Sequence, residues 1–200
     1  NAGQTCICAN RIYVQDTIYD AFAAELAAKV RAMKIGAGDE EGVMIGPLIN
    51  ERGLAKVKAH VADALQKGGQ LVCGGKSHPA GALFYEPTVI KNMTADMVLA
   101  DEETFGPVAG LFKFKDETDV IAQANDTRYG LASYFYSNDL GQCFRVAEAL
   151  ECGMVGINEP LLATEVAPFG GVKESGIGRE NSHYGIEEFV DVKYVLIGGV

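Results

Sequence analysis

The sequence predicts an α/β fold with a largely parallel sheet and flanking helices, and two observations carry that expectation. Short β-branched runs alternate with amphipathic stretches of about ten residues or more, the pattern of βαβ units. The 200 residues, 48% hydrophobic, are enough to bury one ordinary core and show no internal repeat, low-complexity tract or long linker.

Taken in order, Ile12–Val14 reads as a strand. Tyr19–Met33 reads as a helix, with Ala21, Phe22, Leu26 and Val30 near a 3.6-residue period. Asn50 is placed to cap a second helix, whose face is Leu54, Val57, Val61 and Leu65 and whose end is marked by Gly68 and Gly69. Leu71–Cys73 is a short strand, a Gly/Pro-rich stretch runs from Gly74 to Pro87, and Thr88–Ile90 is extended. Beyond these come a strand at Val108–Phe114, a helix at Glu117–Ala124 and a strand at Leu131–Tyr136. A helix at Leu140–Leu150 and a strand at Met154–Ile157 complete the alternation. After a short polar stretch at Glu187–Asp191, a terminal strand is expected at Val192–Ile197. It has no partner in sequence, so it is expected to pair with another element or another chain.

Composition narrows the function. A net charge of −10 with no block of Lys and Arg argues against nucleic-acid or anionic-membrane partners. No apolar run approaches the roughly 18 residues of a membrane span, and no stretch reads as a signal peptide. Five cysteines, an odd number without a disulfide spacing, fit a reducing cytoplasm. His60, His78 and His183 stand at no metal-ligand spacing to the cysteines, so no metal is expected.

Three stretches carry chemistry. In Asn1–Arg11 the residues Cys6 and Cys8 follow a Gly-Gln-Thr turn and precede the first strand. A thiol on a small polar loop is a candidate nucleophile, and its alternative reading is a buried hydrophobe at a strand start, as free cysteines most often are. Asp101–Val108 sets three acids ahead of an aromatic and a tight turn. It is either a solvated acidic turn or a carboxylate for the paired hydroxyls of a ribose. Pro168–Glu180 is the most glycine-dense stretch. It lacks a phosphate-loop pattern, and its glycines are expected to let backbone pass close to a neighbouring site with φ > 0.

These stretches, Asn-Ala-Gly-Gln-Thr-Cys6, Glu-Glu103-Thr-Phe105-Gly-Pro-Val and Pro-Phe169-Gly-Gly-Val-Lys-Glu-Ser-Gly-Ile-Gly-Arg-Glu, resemble the signatures of the aldehyde dehydrogenase superfamily. The resemblance covers essentially the whole chain. It implies the superfamily's catalytic domain at residues 1–191, a terminal strand of an oligomerisation sheet at 192–200, and a homo-oligomer, dimer or tetramer.

It also implies roles. Cys6 adds to the aldehyde as a thiohemiacetal, a hydride passes to NAD or NADP, and the thioester is hydrolysed. Glu103 binds the nicotinamide ribose, Phe105 lies against the nicotinamide, and Phe169 lines the aldehyde entry. Lys56 falls where some members contact the adenosine ribose, and it reads equally as a solvated helix lysine. Asn125–Ala132 and Gly156–Asn158 match the family as structural segments.

Within the superfamily the chain is most similar to bacterial succinate-semialdehyde dehydrogenases, which implies a small acid semialdehyde as substrate. Pro160 and Ala163 stand where those enzymes carry Gly and a carboxylate-contacting Ser, while Thr164 offers a hydroxyl one position on. Glutarate semialdehyde is the alternative substrate. Cysteine acyl transfer without redox chemistry, or a non-catalytic scaffold, are the other classes of function.

By the resemblance, the general-base Glu, an oxyanion Asn, the dinucleotide-binding half and the carboxylate-reading arginines all precede Asn1. The 200 residues alone are then expected to be nearly inactive. Finally, Cys6 and Cys8 could close a small strained disulfide that blocks the nucleophile reversibly. Cys8 reads otherwise as packing beside the loop.

Overall fold

The computed structural model describes residues 1–199. The chain divides into two compact units, one from Asn1 to Ala124 and one from Asn125 onward.

In the first unit, four strands form one sheet: β1 (Arg11–Gln15), β2 (Gln70–Cys73), β3 (Thr88–Lys91) and β4 (Val108–Phe114), in the order β1-β4-β3-β2. β1 and β3 each run parallel to β4, and only the short edge strand β2, irregular between Leu71 and Cys73, is antiparallel. The sheet is thus largely parallel, as expected. Both of its faces are covered, which is why β3 and β4 are nearly continuous apolar runs.

Side chains alternate across the sheet. Val89 and Leu111 enter one core with Val14 and with Tyr19 and Ala23 of α1 (Tyr19–Arg31). Their neighbours Ile90 and Phe112 enter the other, with Leu54, Val57, Val61 and Ala64 of α2 (Glu51–Gln66) and Leu99 of the short α3 (Val98–Asp101). Burying side chains such as Val89 and Ile90 is worth about 1.5–3 kcal/mol each.

α2 starts at the expected cap: the Asn50 side chain accepts a hydrogen bond from the Gly53 N–H at 2.9 Å. The faces of both helices need correction. Ala21 and Phe22 are exposed, and the buried stripe of α1 is Tyr19, Ala23 and Ala27 with Leu26 and Val30 at its margin. On α2, Leu65 is exposed while Ala64 and His60 are buried. The small buried alanines let the helices approach their neighbours closely, and the bulkier Phe22 and Leu65 fall on the outward side.

From Asn125 the second unit carries β5 (Tyr129–Gly130) with β8 (Val172–Lys173) and β6 (Ala132–Phe135) with β7 (Met154–Ile157), the latter pair parallel. α4 (Glu117–Asn125) precedes them, and α5 (Leu140–Ala149) begins where the Asp139 carboxylate accepts from the Gln142 N–H at 3.1 Å. Asn125 and Asn158 are structural, as expected. The Asn125 amide donates to the Ala149 carbonyl and accepts from the Glu151 N–H. Asn158 brackets Ser137 in the same way.

Tyr184–Phe189 is a turn of 3-10 helix, and residues 190–199 form neither helix nor strand within the chain. Within this single chain the segment expected as a strand at Val192–Ile197 has no strand partner. A strand exists only where a neighbour completes its ladder. Val192, Tyr194, Leu196 and Ile197 are all exposed. Val200, the last residue of the 192–200 segment, lies outside the described residues.

Candidate active site

β1 and β4 are parallel neighbours, so the segments that enter them arrive at the same end of the sheet. One is residues 1–10, which carry Cys6. The other is residues 102–107, which carry Glu103 and Phe105. Stretches a hundred residues apart in sequence thereby meet.

The entry segment is shaped by local bonds. The Cys8 N–H donates to the Thr5 carbonyl at 2.9 Å, which makes Thr5–Cys8 a turn with Cys6 and Ile7 at its centre. Gln4 anchors that turn: its amide donates to the Pro47 carbonyl at 3.2 Å and accepts from the Ile49 N–H at 2.8 Å. Cys6 and Cys8 are both free and exposed. The reading of Cys6 as a buried hydrophobe is thereby set aside.

The two entry segments cross at Gly3 and Gly106. A Cβ on Gly3 would sit 2.0 Å from the Gly106 carbonyl oxygen, and Gly3 has φ of +72°. Gly106 is itself pressed on buried Val57, since its own Cβ would lie 2.3 Å from Val57 Cγ2. The crossing therefore has no slack.

Beside it opens a hollow of about 170 Å³, walled in part by Thr5, Cys8, Glu103 and Phe105. Cys6 stands at the exposed crest of the turn and not in that wall. The Glu103 carboxylate is exposed and makes no hydrogen bond or ion pair among the described residues, and Phe105 is 40% exposed. Phe105 also holds φ of +54°, a conformation costly for an aromatic residue. An unpaired carboxylate beside an outward ring at a hollow fits the ribose and flat heterocycle of a nicotinamide nucleotide. Lys56 is exposed on α2 and takes no part in the wall.

Asn10 and His60, to which the sequence assigned no role, hold this arrangement. The Asn10 side chain accepts from the Thr104 N–H at 2.9 Å and donates to the carbonyls of Leu99, at 2.8 Å, and Glu102. His60 and Thr104, both buried, face each other with 3.0 Å between Nδ1 and Oγ1. The signal for His60 was present in the sequence, as a titratable residue inside the apolar stripe of α2. Arg11 donates to the carbonyls of Gln123 and Ala124 at the end of α4.

In the second unit, Phe169 is half-buried and pairs through its backbone with Glu180, in both directions. Arg179, also half-buried, donates to the carbonyls of Gly171 and Gly178 at 2.8 and 2.7 Å and so closes the glycine-rich loop. Positive φ is found at Gly176 and Gly178, whereas Gly170 and Gly171 serve close approach: a Cβ on Gly170 would meet the Gly178 carbonyl at 2.7 Å. Thr164 and Ala163 are exposed on the preceding loop, where the Thr164 carbonyl accepts from the Asn181 amide. Among the described residues no group of three His, Cys, Asp or Glu could hold a metal, and no helix is long and apolar enough to cross a membrane.

The aldehyde dehydrogenase family profile matches residues 1–195. The chain is 59% identical over 198 residues to the NADP(+) succinate-semialdehyde dehydrogenase of Escherichia coli, covering 99% of this chain and 41% of that protein. It is 56% identical over its full 200 residues to a glutarate-semialdehyde dehydrogenase of Pseudomonas aeruginosa, again 41% of that protein. The crystal structure of succinate-semialdehyde dehydrogenase from Burkholderia pseudomallei superposes with a TM-score of 0.95 at 57% identity, covering 97% of this chain and 40% of that one. The chain thus spans about two fifths of the length of the relatives it matches.

Proposed function

This chain belongs to the aldehyde dehydrogenase family, and on that premise we propose that the protein oxidises a small acid semialdehyde, succinate semialdehyde foremost, to its carboxylic acid. The observation that carries the reading is Cys6 at the crest of its turn, next to the hollow bordered by Glu103 and Phe105.

Cys6 acts as the nucleophile. The thiol gives up its proton to water, and its sulfur bonds to the carbonyl carbon while the carbonyl electron pair moves to oxygen. The Cys6 N–H, which has no acceptor among the described residues, is placed to bind that oxygen. Bound NAD or NADP supplies the acceptor for the hydride that leaves the tetrahedral carbon. Glu103 would accept hydrogen bonds from the ribose hydroxyls of the bound dinucleotide and Phe105 would back its nicotinamide ring. The carbon left on Cys6 is a thioester. Water cleaves it, giving the carboxylic acid and returning the thiol.

The family resemblance assigns Phe169, Thr164 and Ala163 to aldehyde binding and Lys56 to the adenosine ribose. The relatives' names support both four- and five-carbon acid semialdehydes, and Ala163 in place of a hydroxyl favours keeping glutarate semialdehyde as the alternative. Residues 1–191 act as the catalytic domain. The exposed apolar segment after them pairs with another copy of the chain in a homo-oligomer, dimer or tetramer, in the cytoplasm. An NADP preference follows the Escherichia coli relative.

The test is NAD(P)H formation by the full-length protein with succinate semialdehyde, glutarate semialdehyde and an uncharged aldehyde of similar length. Recognition of the carboxylate through charge-assisted hydrogen bonds predicts kcat/KM at least about tenfold higher for the acids. Equal use of the uncharged aldehyde would overturn the substrate class.

Cys8 is the redox partner of Cys6 in this reading, since both lie in one tight turn. Peroxide treatment is expected to remove two hydrogens from the peptide spanning Asn1–Arg11 and to stop turnover until a thiol reductant is added. Inactivation with Cys6 oxidised to the sulfinic acid instead would assign Cys8 to packing alone.

A further inference from the structure

We propose that His60 and Thr104 are positioning residues that set the Glu103–Phe105 segment for dinucleotide binding. The proposal rests on the reading of Glu103 and Phe105 as nicotinamide-side contacts.

Three observations carry it. First, Thr104 is 3% exposed between two exposed neighbours, so it is the residue that roots the segment while Glu103 and Phe105 face outward. Second, that root is held at two points by residues distant in sequence: the backbone N–H by Asn10 at 2.9 Å and the hydroxyl by His60 at 3.0 Å. Phe105 keeps its left-handed φ of +54° directly beyond this clamp, and such a conformation persists only where the surroundings over-determine it. Third, His60 lies in the otherwise apolar stripe of α2 between Val57 and Val61, where an aliphatic residue would pack without a polar cost. Its two ring nitrogens both face the segment, Nδ1 toward Thr104 and Nε2 toward Glu102, whose carboxylate is 3.6 Å away. The imidazole thus faces a side chain on each side of Glu103, that of Glu102 and that of Thr104.

The arrangement assigns a protonation state. With hydrogen on Nε2, directed at Glu102, Nδ1 accepts the Thr104 hydroxyl proton. Adding a second proton would turn Nδ1 into a donor, force the hydroxyl to rotate, and strengthen the pull of Glu102 on the ring. The charged groups facing His60 are Lys56 and Asp63 on its own helix and Glu102 on the segment. Burial first, then the Lys56 cation, hold its pKa below the ordinary 6.5, outweighing the two carboxylates. The ring is therefore neutral at pH 7 and the clamp is intact there.

The experiment uses the full-length protein and the variants Thr104→Val, Thr104→Ser, His60→Gln and Glu103→Gln, with KM measured separately for dinucleotide and aldehyde. Thr104→Val keeps the shape but leaves Nδ1 without its partner. It is expected to raise the dinucleotide KM about tenfold while the aldehyde KM stays within about twofold. Thr104→Ser, which keeps the hydroxyl, is expected to restore it. In the wild-type protein the dinucleotide KM should rise as the pH falls through the lowered pKa of His60, and that rise should vanish in His60→Gln, which cannot titrate.

An unchanged dinucleotide KM in Thr104→Val, with a tenfold rise in Glu103→Gln, would overturn the positioning role and leave the ribose contact standing. An unchanged KM in Glu103→Gln would overturn the underlying reading itself. Equal losses in both KM values for Thr104→Val, with Thr104→Ser no better, would mark the pair as structural only and also overturn the proposal.

Discussion

Replacing Cys6 by alanine in the full-length protein is expected to abolish aldehyde oxidation, with kcat falling at least about 10⁴-fold, the order of effect that follows removal of the attacking group in covalent catalysis. The expectation comes from placement. Cys6 occupies the centre of the Thr5–Cys8 turn, its thiol is exposed, and its own N–H points to no other acceptor among the described residues. Nothing else in the turn can take over. Ile7 has no nucleophile, and Cys8 closes the turn through its N–H while Cys6 sits at its centre. Cys8→Ala is accordingly expected to keep turnover within a few-fold of wild type. NAD(P)H formation at saturating aldehyde measures both. A Cys6→Ala enzyme with wild-type kcat, or a Cys8→Ala enzyme without activity, would reverse the assignment.

Gly3→Ala is expected to be nearly as damaging although it touches no reacting atom. The added methyl would meet the Gly106 carbonyl at 2.0 Å, which is backbone and cannot swing aside. Gly106 cannot retreat either, because Val57 lies behind it at full burial. The left-handed backbone at Gly3 adds its own cost for any residue with a Cβ. Together these amount to about 2–4 kcal/mol of stability. Whatever survives must hold the Cys6 turn and the Glu103–Phe105 segment further apart, and a misplacement of about 1 Å can cost about 10²-fold in rate. Gly42→Ala is the matched control: its φ is +75°, yet nothing lies within 4 Å of the added carbon. It should lose some thermal stability and no activity. Comparable kcat/KM for the two variants would show that the crossing does not set the site.

Much of this site was legible in the sequence, and what was hidden follows a physical rule. Cys6, Glu103 and Phe105 were legible through the stretches that resemble family signatures, whereas residue type alone left a second reading open for each. Asn50 was readable as a cap because capping is a bond across three residues. The boundaries of β4 were readable because a buried strand is a continuous apolar run ending in charge. The face of α1 was not, since alanines recur through Asp20–Ala28 at spacings compatible with more than one stripe, and only the approach of the sheet selects Ala23 and Ala27. The two-residue strand β8 is too short to show a period. The Asn10–Thr104–His60 clamp was hidden for a different reason: its partners stand 94 and 44 residues apart, and nothing local specifies that β1 lies beside β4. Once that adjacency is known, the meeting of the two entry segments follows from the parallel direction of the strands.

The most direct test of the central claim is to trap the covalent intermediate. The full-length protein is mixed with succinate semialdehyde and NADP+, quenched in acid within the first turnovers, digested, and the peptide spanning Asn1–Arg11 is fragmented in a mass spectrometer. The account predicts a succinyl group on Cys6, absent when the dinucleotide is withheld and absent in Cys6→Ala. A succinyl group on Cys8, or oxidation of the aldehyde with no acyl group on either sulfur at any quench time, would contradict it.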